Sequence, residues 1–421
     1  MKGATSVEPI RIPESPVRSP GSAFSRRMAF LAIIGPGVLG LAADNDAGGI
    51  LSYVVTGATR HLLWFIPALL VMAPVTYFIQ ELALRVAIAT EKPFVALITQ
   101  HFGRWPARLN ASVLHALNLL TLTSEFVGMT LSLSWFGVPW RLGLGVSLTL
   151  VVLTTRLQDY HRMERLLLIC AGLTFALVPV CLLLDPSPAR LVLSLGSIQP
   201  GAQTPFLLLA LAGNAVAPWM IYWQQSATWA GATATLARGR ADIRLGIAVQ
   251  TVMATLALAI GALAGPGAQA VPIAGLTRMA GPAGRLLFAA VLFDAGFIAA
   301  VTIGLSSSWM IRELLTSSGI SDRQRTPTQG TTGHIHLATL AVSAGLVALP
   351  RLPSAGVALW AQAASGLVMP VSLFFLVWVA IRNRRMGAMR MHRRRTLLFI
   401  GIIAGFAVLG GWTIGGIMGA A

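Results

Sequence analysis

Four acidic residues lie deep inside long apolar runs of this 421-residue chain, away from the ends of the runs: Asp44, Asp46, Glu125 and Asp294. A charged side chain at the centre of a bilayer costs roughly 2.5–3.5 kcal/mol on insertion scales. Asp44 and Asp46 share one run, so together they would cost about 5–7 kcal/mol if they faced lipid. We therefore expect these two carboxylates to face a cavity, a partner or an ion.

The residues around Asp46 favour an ion. Segment 44–49 reads Asp-Asn-Asp-Ala-Gly-Gly, and each glycine costs about 1 kcal/mol in a helix interior. An unwound segment here would free backbone carbonyls near the carboxylate. Carbonyl and carboxylate oxygens together are the ligands of hard divalent cations. A helix that is only kinked for packing is the alternative.

A second break is predicted in the sixth apolar run, at residues 213–219. Pro218 has no backbone N–H and clashes with the carbonyl four residues earlier, so the helix should break near Asn214. Runs one and six each begin a set of five runs, and an odd number inverts the second set relative to the first. Paired broken helices in inverted repeats are the best sequence indication of a transporter site.

The elements that must position these residues are membrane helices. The chain is 55% hydrophobic and 11% charged, with a mean hydropathy of +0.74, whereas soluble domains carry about 25% charged residues. Eleven apolar runs are long enough to span a bilayer. They lie approximately at 29–58, 62–84, 110–134, 138–155, 164–184, 204–228, 243–264, 284–310, 335–350, 356–381 and 396–419.

Four segments follow from these runs: a disordered cytoplasmic tail at 1–28, a first repeat at 29–184, a second at 204–382, and an extra helix at 396–419. The last three form one transporter domain, 29–421. Basic residues divide 25 to 6 between alternate loops, counting the tail with the first group. This asymmetry predicts a cytoplasmic N-terminus and an external C-terminus.

The net charge of +17 is therefore attributed to topology and to anionic lipids at the cytoplasmic face, and not to nucleic acid. Cys170 and Cys181 are eleven residues apart in one apolar run and predict neither a disulfide nor a metal site.

The chain resembles the NRAMP family of divalent metal transporters from about residue 30 to 390. The first span of the family carries Gly-Pro-Gly, then Asp-Pro-Gly-Asn, then Gly-Ala, which correspond in ungapped register to Gly35-Pro36-Gly37, Asp46-Ala47-Gly48-Gly49 and Gly57-Ala58. Further matches are Gln80-Glu81-Leu82-Ala83-Leu84-Arg85, Ser124-Glu125-Phe126-Val127-Gly128, Gln362, Pro370 and Asn383-Arg384-Arg385-Met386-Gly387. The resemblance implies a LeuT-type 5+5 inverted repeat with an eleventh helix, in an all-α polytopic membrane protein.

The departures from the family pattern point to a different ion. Where typical members have Met-Pro-His, this chain has Ala217-Pro218-Trp219, so a soft thioether ligand is lost. Asn214 adds an oxygen where the family has alanine, and Gly49 removes one where the family has asparagine. The remaining set is all-oxygen and roomier, which suits Mg²⁺ because this ion keeps several waters. The Ala-Pro-Trp pattern is similar to the NRAMP-related magnesium transporter branch, and Mn²⁺ should pass as well.

Weak or no proton coupling is expected. The family histidine is replaced by Trp219, which has no titratable proton, and a span-three aspartate of the family is Leu122 here. Glu125 remains as the candidate for a proton pathway. The membrane potential would then favour cation entry by about 2.3 kcal/mol per charge per 100 mV.

The predicted protein is thus a transporter for Mg²⁺ and Mn²⁺, not an enzyme, with no prosthetic group, monomeric, in a bacterial inner membrane. The alternatives are a proton-coupled Mn²⁺ or transition-metal symporter, an organic-substrate symporter of the same fold, and an intramembrane aspartyl protease. The protease is disfavoured because Asp44 and Asp46 share one span. The predicted metal site consists of Asp46, Gly49, Asn214, Ala217 and Gln362, surrounded by Asp44, Asn45, Gly48, Pro218 and Trp219.

Overall fold

The computed structural model describes residues 36–156, 160–184, 186–196, 200–229, 235–265, 272–315, 330–349 and 354–419, and helices account for nearly all of these residues. Sixteen α-helices and two short 3₁₀-helices, Gly172–Ala176 and Arg384–Met389, occur within these ranges, and no strand does. The α-helices are α1 Pro36–Asp44, α2 Ala47–Ala58, α3 Leu62–Thr90, α4 Phe94–Phe102, α5 Arg104–Trp135, α6 Trp140–Thr155, α7 Tyr160–Ala171, α8 Leu177–Leu183, α9 Pro188–Leu195, α10 Thr204–Ala215, α11 Pro218–Trp229, α12 Leu236–Ala264, α13 Pro272–Leu315, α14 Gly330–Val347, α15 Ser354–Arg382 and α16 Arg393–Gly419.

The membrane-spanning helices coincide with the eleven apolar runs. Within the described ranges, eight helical segments are long and apolar enough to cross a bilayer. Three shorter apolar helices, Ala47–Ala58, Trp140–Thr155 and Gly333–Val347, occupy the remaining runs. Several helices are longer than the apolar run that they contain. Arginine and alanine have a high helix propensity, so the helix continues into the polar residues that flank the run. The disordered tail predicted at 1–28 lies outside the described residues.

Two sets of five spans and an eleventh helix build the bundle, and each set begins with a broken helix. The first broken helix is α1 followed by α2, and the second is α10 followed by α11. The second broken helix lies in the centre of the bundle, because 89% of its most apolar 18-residue segment is buried inside the protein. Only 22% of the corresponding segment of α16 is buried, so α16 presents most of its apolar surface outward. The core thus surrounds the two breaks.

Glycines bring the core helices close enough to fix the positions of the breaks. A Cβ atom on Gly57 of α2 would overlap the backbone carbonyl of Leu258 in α12, and one on Gly261 would overlap that of Val54. A Cβ atom on Gly213 of α10 would likewise overlap the carbonyl of Gln362 in α15. Because these backbones touch, α2 is held against α12 and α10 against α15.

Candidate ion-binding site

Both predicted helix breaks are present. Helix α1 ends at Asp44 and α2 begins at Ala47, so Asn45 and Asp46 lie between two half-helices. In the second break Val216 is extended, with φ −155° and ψ 100°. Asn214 stays inside α10, which ends at the next residue, Ala215. Pro218 still causes the break, because it begins α11 and cannot continue α10.

The Asp46 carboxylate caps the N-terminus of α2. It accepts a hydrogen bond from the backbone N–H of Gly49, and its backbone is extended, as expected of an N-cap residue. Gln362 of α15 donates its Nε2 to the two carboxylate oxygens at 3.1 and 3.4 Å. The Asp46 residue is only 2% exposed. The structure therefore brings together two predicted ligands that are 316 positions apart.

Asn214 occupies the space that a side chain at position 49 would need. A Cβ atom on Gly49 would lie 2.8 Å from Asn214 Nδ2 and 2.8 Å from Asp46 Oδ1. The side chains of Asp46 and Asn214 thus meet over Gly49. Neither amide atom of Asn214 makes a hydrogen bond of normal geometry within the part of the chain that the structure describes. A buried amide without partners is costly, so this one is suited to an ion or to its water.

Glu125 of α5 also binds the start of α2. Its Oε2 accepts from the N–H of Ala47 at 2.8 Å, and its Oε1 accepts from the Ser124 hydroxyl at 3.0 Å. Ala47 stands where the family pattern has a proline, which has no N–H, so this chain possesses a donor that the pattern lacks. The carboxyl groups of Glu125 and Asp46 are in contact. Gly48 makes this approach possible, because its Cβ atom would lie 3.2 Å from Glu125 Oε1.

Asp44 points away from Asp46 toward α12. Its Oδ2 accepts from Gln250 Nε2 at 2.5 Å, and its carboxylate also accepts from the backbone N–H of Ala217, the residue before α11. The Asn45 side chain also points toward α12, and its Nδ2 donates to the Gln250 carbonyl at 3.2 Å. Asp44 and Asn45, two of the residues predicted to surround the site, thus connect the first break to α12, and Asp44 also connects it to the second break.

Large aromatic rings fill the interior between α1, α11 and α13. Trp219 is 1% exposed, and its carbonyl accepts from the Ser306 hydroxyl at 3.3 Å. One turn further along α11, Trp223 stacks on Trp309 with centroids 5.4 Å apart. A Cβ atom on Gly40 of α1 would lie 3.0 Å from the Trp223 ring. These rings therefore pack α11 tightly against α1 and α13.

Sequence reasoning missed three residues at the breaks. Gln250 contacts Asp44, and Thr76 of α3 donates to the Ala215 carbonyl at 2.9 Å. The buried Tyr53 hydroxyl lies close to the Asn214 amide. Two signals were present: Gln250 is an isolated polar residue in an apolar run, and Tyr53 is seven positions after Asp46 and so shares its helix face.

The described residues form no metal centre of the usual protein type. Among the described residues, no cluster of three or more His, Cys, Asp or Glu side chains is arranged to hold a metal ion. What the structure does show is a group of carboxylate, amide and carbonyl oxygens at two broken helices. Inverted spans with such breaks at their centre define a polytopic membrane transporter.

The family follows from the sequence. Residues 37–415 match the Nramp family, described as natural resistance-associated macrophage protein-like. The chain therefore belongs to the Nramp family of divalent metal transporters, and it is a transporter and not an enzyme. No curated protein matches its sequence.

Solved structures confirm the fold. A manganese transporter from Eremococcus coleocola, in complex with an aromatic bis-isothiourea substituted compound, superposes with a TM-score of 0.71 at 16% identity over 97% of both chains. Mhp1, a nucleobase-cation-symport-1 family transporter, gives 0.60 at 13% identity over 91% of this chain and 90% of its own. MhsT in complex with L-phenylalanine gives 0.54 at 13% identity over 91% of this chain and 98% of its own. The predicted LeuT-type inverted repeat is thus confirmed.

Proposed function

We propose that this transporter carries Mg²⁺ and Mn²⁺ through a site formed by Asp46, Asn214 and Gln362, with the backbone at Gly49 and Ala217. The observation that supports this most is the position of Asp46, a buried carboxylate in the gap between two half-helices. Its neighbours offer oxygen atoms, which are the ligands of hard cations. The likeness to a manganese transporter agrees with Mn²⁺ as one substrate.

Magnesium is included because the surroundings of Asp46 suit a hydrated ion. Mg²⁺ loses its water reluctantly and binds proteins through one or two carboxylates while keeping several waters. Among the described residues, neither atom of the Asn214 amide makes a hydrogen bond of normal geometry, and water can bond to both. Ala217 supplies no soft ligand. These features agree with the NRAMP-related magnesium transporter branch.

Uptake by the purified protein in liposomes tests this function. We expect Mg²⁺ and Mn²⁺ to enter in response to an inside-negative potential, while the internal pH stays constant. The internal pH is followed with a trapped dye, and protein-free liposomes are the control. If neither ion enters, the proposed function is wrong.

A proton-coupled Mn²⁺ symporter is the second candidate, and one contact favours it. The carboxyl groups of Glu125 and Asp46 touch, and two such groups are stable together only with a proton or a cation between them. An arriving ion could then release that proton. Against this, Glu125 already accepts from Ala47 N–H and Ser124. Internal acidification in step with uptake would establish the symporter.

Restoring a thioether should change the ion preference. We expect Ala217→Met to raise the Mn²⁺-to-Mg²⁺ uptake ratio about tenfold, which corresponds to about 1.4 kcal/mol. Ala217→Leu is the matched control, because leucine adds similar bulk without sulfur. An unchanged ratio in Ala217→Met, or an equal change in both variants, would show that a soft ligand at this position does not govern selectivity.

The proposal also covers the oligomeric state, the membrane and the orientation of the protein. We propose a monomer in a bacterial inner membrane, with the tail at 1–28 in the cytoplasm, repeats at 29–184 and 204–382, and an extra helix at 396–419. The 25-to-6 division of basic residues supports this orientation. The basic residues at 382–395 would then contact anionic lipids at the cytoplasmic face.

A further inference from the structure

Gln250 of α12 binds an oxygen atom at each of the two helix breaks. Its Nε2 donates to Asp44 Oδ2 at 2.5 Å and to the Ala215 carbonyl at 3.1 Å. The side chain is buried, and its own backbone carbonyl accepts from Asn45. A single amide group therefore occupies the oxygens that end α1 and α10.

Both of these oxygens belong to residues that border the ion site. Asp44 is two residues from Asp46, and the two carboxylates interact electrostatically. Ala215 follows Asn214 directly. Without the Gln250 amide, Asp44 keeps only its bond to the Ala217 N–H, and the Ala215 carbonyl keeps only its bond to Thr76. A second carboxylate and a carbonyl are then held by fewer bonds and can be drawn toward the ion, in addition to the three predicted ligands.

The number of available oxygens separates calcium from magnesium. Ca²⁺ takes six to eight oxygen ligands in flexible geometry, whereas Mg²⁺ needs one or two carboxylates and keeps its water. A site with one free carboxylate therefore disfavours Ca²⁺, and a site with two carboxylates and a further carbonyl favours it.

We propose that Gln250 is a specificity-determining residue that excludes Ca²⁺ by holding Asp44 and the Ala215 carbonyl away from the ion. It acts through these two groups and does not itself bind the ion, so it is a positioning residue. This inference rests on the proposed function, because it concerns the same site.

Calorimetric titration of the purified protein with Ca²⁺ and with Mg²⁺ tests the inference without requiring transport. We expect Gln250→Leu to raise the ratio of Ca²⁺ to Mg²⁺ affinity by about tenfold. Gln250→Asn keeps a polar amide but shortens the side chain by one methylene, so we expect the same direction of change with less risk to folding. An unchanged ratio in folded samples of both variants would overturn the inference.

Two further variants assign the effect to Asp44. Adding Asp44→Asn to Gln250→Leu should return the ratio to the native value, because the released carboxylate is then missing. Thr76→Val is the matched control, since Thr76 donates to the same Ala215 carbonyl but has no bond to Asp44. A raised ratio that persists in the double variant, or that Thr76→Val reproduces in full, would contradict the role of Asp44.

Ion binding by the native protein distinguishes a failure of the proposed function from a failure of the role proposed for Gln250. If it binds neither Ca²⁺ nor Mg²⁺ nor Mn²⁺, the proposed function fails. If it binds Mg²⁺ or Mn²⁺ and the Gln250 variants keep the native preference, only the role of Gln250 fails.

Discussion

Replacing Asp46 with alanine is expected to abolish Mg²⁺ and Mn²⁺ uptake. The Asp46 carboxylate is buried between α1 and α2, and it is the group on which Gln362 and the N–H of Gly49 converge. Removing one partner of a buried ion pair typically costs about 3–5 kcal/mol, which corresponds to a loss of binding of about 100-fold or more. Ion uptake into liposomes, together with calorimetric titration of the purified variant, measures both consequences.

Asp294→Asn provides the matched control for this substitution. Asp294 is also an acidic residue in a membrane span, but its carboxylate contacts Cys170 and not the residues at the breaks. We expect this variant to keep most of the native uptake. Normal transport by Asp46→Ala would remove Asp46 from the site, and an equal loss in Asp294→Asn would show that any mid-span acid disturbs the bundle.

The second large effect concerns Gly49 and Asn214, which compete for one space. We expect Gly49→Asn alone to abolish transport, because its Cβ atom would lie 2.8 Å from both Asn214 Nδ2 and Asp46 Oδ1. Such overpacking typically costs about 1–3 kcal/mol. Asn214→Ala alone should weaken uptake, since the amide beside Asp46 is lost. The double variant should recover uptake, because the new Asn side chain can enter the vacated space.

A double-mutant cycle on ion binding and thermal stability measures this exchange. We expect the double variant to lose less ion affinity and less thermal stability than either single variant. Such a result is a strong positive coupling between neighbouring residues. Gly48→Asn combined with Asn214→Ala is the matched control, because Gly48 faces Ser124 and not Asn214. If the double variant at positions 49 and 214 is no better than Gly49→Asn, the two positions do not share one function.

Much of the fold could be predicted from the sequence because a bilayer imposes simple demands. Each apolar run had to become a helix, since a backbone in lipid must satisfy its own hydrogen bonds. The break at 45–46 was predicted from two acids and two glycines in one span. The second break, predicted near Asn214, is confirmed and occurs at Val216. Its exact position could not be predicted, because a proline sterically restricts the preceding turn without determining which residue leaves the helix.

The site was less predictable because it depends on contacts between distant helices. The sequence pattern predicts the loss of one oxygen at Gly49 and the gain of another at Asn214. The structure shows that these two positions share one space, which the Asn214 amide fills, and no local pattern predicts that contact. Glu125 was expected only as a proton-pathway residue, yet it binds the N–H of Ala47. The role of Gln250 needs the positions of three helices, which no local pattern contains.

The hydrogen bonds that Asp46 already possesses have a consequence for the speed of the transport cycle. Before an ion arrives, the carboxylate is stabilised by the N–H of Gly49 and the amide of Gln362. If Asp46 binds the ion as proposed, an ion that displaces either donor gains only the difference between two favourable interactions, so we expect its residence time to be short. Rapid dissociation on the far side would return the empty protein quickly to its next cycle.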